Sequence, residues 1–222
     1  SEVEPVSFNC GEPLLDSRDG NTYATVQIGD QCWMAENLAY LPEVYPSSQG
    51  SNTDPYYYVY GYQGTSVAEA QATTNYQTFG VLYNWPASLD ACPEGWHLPA
   101  DAEWTALTDY VSSQPEYLCN GDDFYIAKAL AATTNWTSAS ETCAVGNNLS
   151  ANNTTGFSGL PGGFLSTDWD SFFGMNADVY WWSSTENSAT EVWERHIYNH
   201  FAFVSRGSIS KSDGFSVRCM RD

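Results

Sequence analysis

Two histidines four residues apart, His196 and His200, stand just after Glu194, the spacing by which a helix turns two zinc ligands to one face. The intervening residues argue for a strand instead: Trp193, Arg195 and Ile197 alternate with Glu194, His196 and Tyr198. On a strand, residues four apart are about 13 Å from each other and cannot share one ion. His97, within Trp96-His97-Leu98-Pro99, reads as a buried, hydrogen-bonded residue rather than a catalytic base. A second set of residues is rich in oxygen. Asn147, Asn148, Asn152, Asn153 and Thr154 precede Gly156, and Asp168 and Asp170 follow in one long connection. Flexible, hard oxygen donors suit calcium, and Asn148, Asn152, Asp168 and Asp170 are the candidate ligands. The chain has no Asp-x-Asp-x-Asp-Gly loop, and a solvated polar loop accounts for the same residues. No Gly-x-Ser-x-Gly elbow, phosphate loop or dinucleotide fingerprint occurs, so no motif marks a catalytic centre.

The elements that would position these residues change character along the chain. Residues 1–19 are polar, with Pro5 and Pro13, and read as an extended N-terminal arm ahead of a single domain over residues 20–222. Val3, Val6 and Phe8 make that arm apolar enough to dock, and as an edge strand it could add to the sheet of a second copy. Residues 20–28 read as a short strand. Residues 42–78 are too long for an ordinary loop and too rich in tyrosine for a disordered one, so they read as an ordered surface excursion. Asn84 can cap a helix with Trp85 and Pro86 in its first turn, ending near Ala91. A second helix starts after Pro99, with Asp101 and Glu103 at its positive end and Trp104, Leu107 and Val111 on one face. A third, weaker one runs from Asp123 to Ala132. The last third reads as strands at 180–184, 192–198, 201–209 and 215–220, parted by turn residues such as Asp213-Gly214. Helices followed by antiparallel sheet make an α+β arrangement.

The 222 residues suffice for one sizeable core and require no second domain. Seven Lys and Arg against 27 Asp and Glu give a formal charge of −20, which repels phosphate backbones and anionic lipid headgroups. Nucleic acid is therefore excluded as a partner, and no segment has the roughly 20 apolar residues of a membrane-inserted span. Six cysteines without paired C-x-x-C spacing point to disulfides in an oxidising compartment, hence to a secreted, extracellular protein. They allow 15 pairings, which the sequence does not resolve.

An ordered set of aromatic phrases narrows the choice. Cys32-Trp33-Met34-Ala35-Glu36-Asn37-Leu38, Leu82-Tyr83-Asn84-Trp85, Gly95-Trp96-His97-Leu98-Pro99, Gly156-Phe157-Ser158-Gly159, Trp181-Trp182-Ser183-Ser184 and Gly214-Phe215-Ser216-Val217-Arg218-Cys219 occur in that order. In this order they resemble the Fibrobacter succinogenes major paralogous domain, from about Gly20 to Asp222. The resemblance implies an α+β, C-type lectin-like fold, with two to three helices on a twisted antiparallel sheet and long irregular loops. It also implies that Cys92 pairs with Cys219; Cys10 with Cys32, and Cys119 with Cys143, are then the nearest neighbours left. The sugar-binding Glu-Pro-Asn and Gln-Pro-Asp triplets of C-type lectins are absent, so calcium-mediated sugar recognition does not carry over. Formylglycine-generating oxidases are distantly similar, but they hold copper with two nearby thiolates, and Cys219 has no cysteine in the 75 residues before it. The resemblance makes most tryptophans core markers. Tyr56, Tyr57, Tyr58, Tyr60, Tyr62 and Trp169 lie outside the shared phrases and are the candidate binding or assembly surface. The expectation is a secreted, non-catalytic module at the cell surface that recognises a glycan or a protein, or assembles with copies of itself.

Overall fold

A computed structural model describes residues 8–222; the arm residues before Phe8, with Val3 and Val6, lie outside the described residues. Phe8 meets Trp96 edge-on, 5.6 Å between ring centroids, and the Arg221 guanidinium lies 4.6 Å above the Phe8 ring. Strands β1 (Leu14–Leu15) and β2 (Thr22–Tyr23) pair, and a disulfide from Cys10 to Cys32 ties this stretch to the hairpin of β3 (Thr25–Ile28) and β4 (Gln31–Met34).

The excursion at 42–78 is ordered, and it holds structure that its composition conceals. Strand β5 (Tyr57–Tyr58) pairs with β6 (Leu82–Tyr83), and between them lie α1 (Val67–Gln71) and α2 (Thr74–Phe79). Each helix starts on a hydroxyl cap: Ser66 accepts from the Glu69 N–H and Thr73 from the Tyr76 N–H. Helix α3 (Trp85–Leu89) starts as expected, with the Asn84 side chain accepting from the Ala87 N–H. Strand β7 (Trp96–His97) then leads into α4 (Asp101–Ser113), whose inner face is Trp104, Leu107 and Val111. Asp101 at its first turn receives both Arg195 and Arg206, which locks the helix to the sheet behind it. The last helix, α5 (Ala127–Leu130), is shorter than its apolar pattern suggests. Five short α-helices are thus described where two to three were expected.

Five strands form the largest sheet: β8 (Gly162–Ser166), β9 (Ser171–Met175), β10 (Asp178–Glu186), β11 (Glu191–Tyr198) and β12 (Ser205–Ser210), in the order β12-β11-β10-β8-β9. It is not wholly antiparallel, since β8 and β10 run parallel. The final strand, β13 (Met220–Arg221), lies between β4 and β7 in a four-stranded sheet. Residues 215–220 were expected to be one strand. Instead Phe215 and Ser216 make single bridges to Tyr83 and Trp181, because this segment crosses from one sheet to the other.

Two apolar clusters fill the space between the sheets and helices, and the second is built on Trp33, Trp104, Phe157 and Trp181. Trp33 and Trp104 are 4.8 Å apart, and Phe157 meets Trp181 edge-on at 5.5 Å. Arg218 is fully buried against these rings, 4.4 Å above Phe157. Its guanidinium donates to Met34 O (3.1 Å), Ser158 O (3.1 Å) and Asn37 Oδ1 (3.2 Å), and to Phe157 O. Several of the shared phrases therefore converge on one buried cation, which neutral acceptors satisfy in place of a carboxylate. All six cysteines are bonded, Cys92 to Cys219 and Cys119 to Cys143 besides the first pair. The bridge from Cys92 to Cys219 spans 127 residues and fastens the C-terminal segment to the helical half.

Candidate binding groove on the β8–β9 hairpin

The residues Phe164-Leu165-Ser166, Thr167-Asp168-Trp169-Asp170 and Ser171-Phe172-Phe173 form a hairpin with a four-residue turn. Phe164 faces Phe173 and Leu165 faces Phe172, so alternate residues go to opposite sides. Leu165 and Phe172 belong to an inner cluster with Tyr58, Leu82 and Tyr60. The other side carries Phe164 and Phe173, 5.8 Å apart and tilted by 33°.

The turn is held from both ends. Thr167 donates its N–H (2.8 Å) and its hydroxyl (2.9 Å) to Asp213 Oδ1, and the Ser47 hydroxyl donates to Asp170 O at 2.6 Å. Burial raises the Asp213 carboxyl above its ordinary range, against the pull of the two Thr167 hydrogen bonds. Trp169 projects from this anchored turn with 76% of its surface exposed, while Phe173 is 40% exposed. The other eight tryptophans are buried or half-buried.

Asp178 closes the groove. After β9 the chain reverses at Gly174 to Ala177, where the Ala177 N–H donates to Gly174 O at 2.9 Å, and the first residue of β10 comes back beside the hairpin. Phe164, Ser166, Trp169, Phe173 and Asp178 line an open, mainly apolar groove of about 510 Å³. Neither the Asp178 carboxylate nor the Ser166 hydroxyl has a hydrogen-bond partner among the described residues. Burial pushes the Asp178 carboxyl up to about 6, and the nearby His200 and His196 act in the opposite direction. Beyond Phe164 the aromatic surface continues through Tyr180, 4.8 Å away, to His196 and Tyr198.

Of the six aromatic residues expected to form a contact surface, Trp169 is in the groove and the tyrosines are not. Tyr58 is a core residue: it is fully buried, and its hydroxyl donates to Gln49 O at 2.7 Å. Tyr56 stacks on Tyr58, Tyr57 packs edge-on against Tyr83, and Tyr60 packs on Phe172 at 5.1 Å. The Tyr62 hydroxyl donates to Glu69 at 2.9 Å. Tyr58 and Tyr60 thus support the hairpin from behind, while Tyr57 and Tyr62 pack against the main core. A segment that packs its tyrosines inward has the same composition as one that displays them, so the sequence does not distinguish the two.

The four expected calcium ligands do not fit a calcium ion, because they sit in two separate places. Asp168 and Asp170 are exposed in the hairpin turn. Asn148 is exposed, while Asn152 is buried and donates to Ala132 O (3.0 Å) and Val145 O (3.2 Å), its Oδ1 left without a partner. The carbonyls of that loop already hold a cation: the Lys128 ammonium donates to Ala144 O (3.2 Å), Asn148 O (3.3 Å) and Asn147 O. Among the described residues no three His, Cys, Asp or Glu side chains gather as a metal site would require. His196 lies on β11 with Nδ1 2.9 Å from Glu194, and His200 lies past the strand end beside Asn199. His97 is hydrogen-bonded as expected, 2.6 Å from Asp222 and 3.1 Å from Glu103, but it is partly exposed rather than buried.

Phe164, Ser166, Phe173 and Asp178 were missed as site residues. Their signal was available in the hairpin pattern around Thr167-Asp168-Trp169-Asp170, with a phenylalanine on each arm. Together the features define an α+β domain with three disulfides and one exposed aromatic groove. The chain belongs to the Fibrobacter succinogenes major domain family, whose model matches residues 26–221. No curated protein and no solved structure matches it. No helix of the described residues is long and apolar enough to cross a membrane.

Proposed function

We propose that this chain is a secreted, non-catalytic recognition module of the cell surface, with a C-type lectin-like fold, and that it binds glycan in the groove of the β8–β9 hairpin. The observation that carries this reading is Trp169: one indole, 76% exposed, displayed from a turn that Asp213 and Ser47 hold in place. Exposing so large an apolar ring costs solvation free energy, and fixing it in one position serves a partner that lies flat on it. The C–H face of a sugar ring stacks on Trp169 and Phe173, and the unengaged Ser166 hydroxyl and Asp178 carboxylate take up its polar groups. The three disulfides suit an oxidising extracellular setting. A bonded Cys219 offers no thiol for oxidase chemistry. The antiparallel pairing of β4 with the late strand β13 supports the C-type lectin-like reading.

Affinity electrophoresis through gels containing single soluble polysaccharides tests this. At least one glycan is expected to retard the protein, and Trp169→Ala is expected to run freely. If the Trp169→Ala protein is retarded as strongly as the original, the groove is not the binding site. If no glycan retards the protein and its size in solution instead grows with concentration, the same rings serve contact between copies of the chain.

A further inference from the structure

Every Lys and Arg side chain is engaged elsewhere than at Asp178. Arg195 and Arg206 are on Asp101, Arg18 is on Asp16, and Lys211 is on Glu186. Lys128 is spent on loop carbonyls, Arg218 lies in the core, and Arg221 covers Phe8. These are all seven Lys and Arg of the sequence. The titratable neighbours of Asp178 are Tyr60, Tyr180 on β10, and three residues on β11 and just past its end. There His196 is bound to Glu194 and His200 to Asn199, and Tyr198, which pairs with Asp178 in the ladder, shares its hydroxyl with Tyr180.

We infer that the groove selects glycans bearing free amines, such as glucosamine units, over the same glycans with the amine acetylated and over uronic acids. This rests on the glycan reading above. A partly buried carboxylate without a protein donor is stabilised by whatever cation a ligand brings, and in this groove the cation also faces aromatic rings, whose negative faces attract it. A formal charge of −20 raises the local concentration of cationic ligands and repels anionic ones. The ring geometry favours an amino sugar over a lysine side chain. The groove is open and gathers three aromatic side chains, Phe164, Trp169 and Phe173, which a sugar ring covers more fully than a narrow alkyl chain does. The raised Asp178 carboxyl is still ionised near neutral pH, and pairing with an amine would restore its ordinary acidity.

Isothermal titration of the full chain at pH 7 tests the inference with four probes of equal length: oligomers of glucosamine, of N-acetylglucosamine and of galacturonate, and an oligolysine peptide. The glucosamine oligomer should bind about tenfold more tightly than the acetylated one, and the galacturonate oligomer should not bind. Asp178→Asn should bring glucosamine down to the level of N-acetylglucosamine. Glu116→Gln, which removes the same charge from an exposed position outside the groove, should change nothing. Equal effects of the two variants would mean that only the net charge attracts the amine and would overturn the inference. Equal binding of the acetylated and free oligomers would also overturn it and leave the glycan reading intact. Oligolysine binding as tightly as glucosamine would replace the glycan with a protein partner. A glucosamine oligomer that binds Trp169→Ala as well as the original protein would remove the groove, and the glycan reading with it.

Discussion

Gly174 lies directly beneath Asp178: a methyl group at Gly174 would stand well inside contact distance of the Asp178 carboxylate. Gly174 also has φ +73°, a left-handed conformation that other residues adopt at a cost. The glycine therefore both forms the turn between β9 and β10 and leaves the space in which the carboxylate reaches the groove. Gly174→Ala is expected to cost about 1–3 kcal/mol of stability and to displace Asp178, so that glucosamine binding weakens. Thermal unfolding and titration on the same variant check both parts. An unchanged affinity would mean that Asp178 is not placed by this contact.

Asp178 also ties stability to pH. Its carboxyl is raised from 3.8 to about 6 by burial, so the folded state holds this proton more tightly than the unfolded chain does. Between those values the unfolded chain carries fewer protons at this site, so the site's contribution to stability falls as pH rises and remains low above pH 6. Asp178→Asn removes that loss. The variant should gain about 1 kcal/mol at pH 7, a modest amount because solvent screens a carboxylate that is only partly buried. Chemical denaturation from pH 4 to pH 8 measures the difference. If the two curves run parallel across that range, the carboxyl titrates at its ordinary pKa.

Lys128 takes the place that a metal ion could have had in the Asn147–Asn148 loop. Burial lowers its pKa, and the three carbonyl acceptors account for its remaining there as an ammonium. The melting temperature is expected to be the same with calcium and with a chelator. Lys128→Met should cost about 1–2 kcal/mol by leaving Asn147 O unpaired, while Ala144 O and Asn148 O keep the N–H groups of Asn147 and Ala151. A calcium-dependent rise in melting temperature of the unaltered protein would show that the oxygen-rich residues gather after all.

Much of this fold can be read in the sequence, and the reasons are local. Asn84 ahead of Trp85-Pro86, and Asp101 and Glu103 ahead of Trp104, announce their helices because caps and dipole partners act within one turn. The period-two pattern from Glu191 to Tyr198 announces β11 and sets His196 on a strand because that, too, is a matter of spacing along one element, although His200 falls just past its end. What stays hidden depends on distant partners. Tyr58 and Tyr60 look like surface residues until Leu165 and Phe172 come in from over 100 positions away. Asp178 looks like an ordinary turn carboxylate until the hairpin sets Phe164 and Trp169 beside it.

The central claim is that a ligand lies on Trp169, and the indole N–H signals in a proton–nitrogen spectrum test it most directly. Nine tryptophans give nine such signals; Trp169 is exposed, Trp193 is half-buried and the rest are buried. Titration with a glucosamine oligomer should move the Trp169 signal, identified by its loss in Trp169→Ala, and leave those of the buried Trp33, Trp104, Trp181 and Trp182 in place. A ligand that binds while the Trp169 signal stays still would contradict the account.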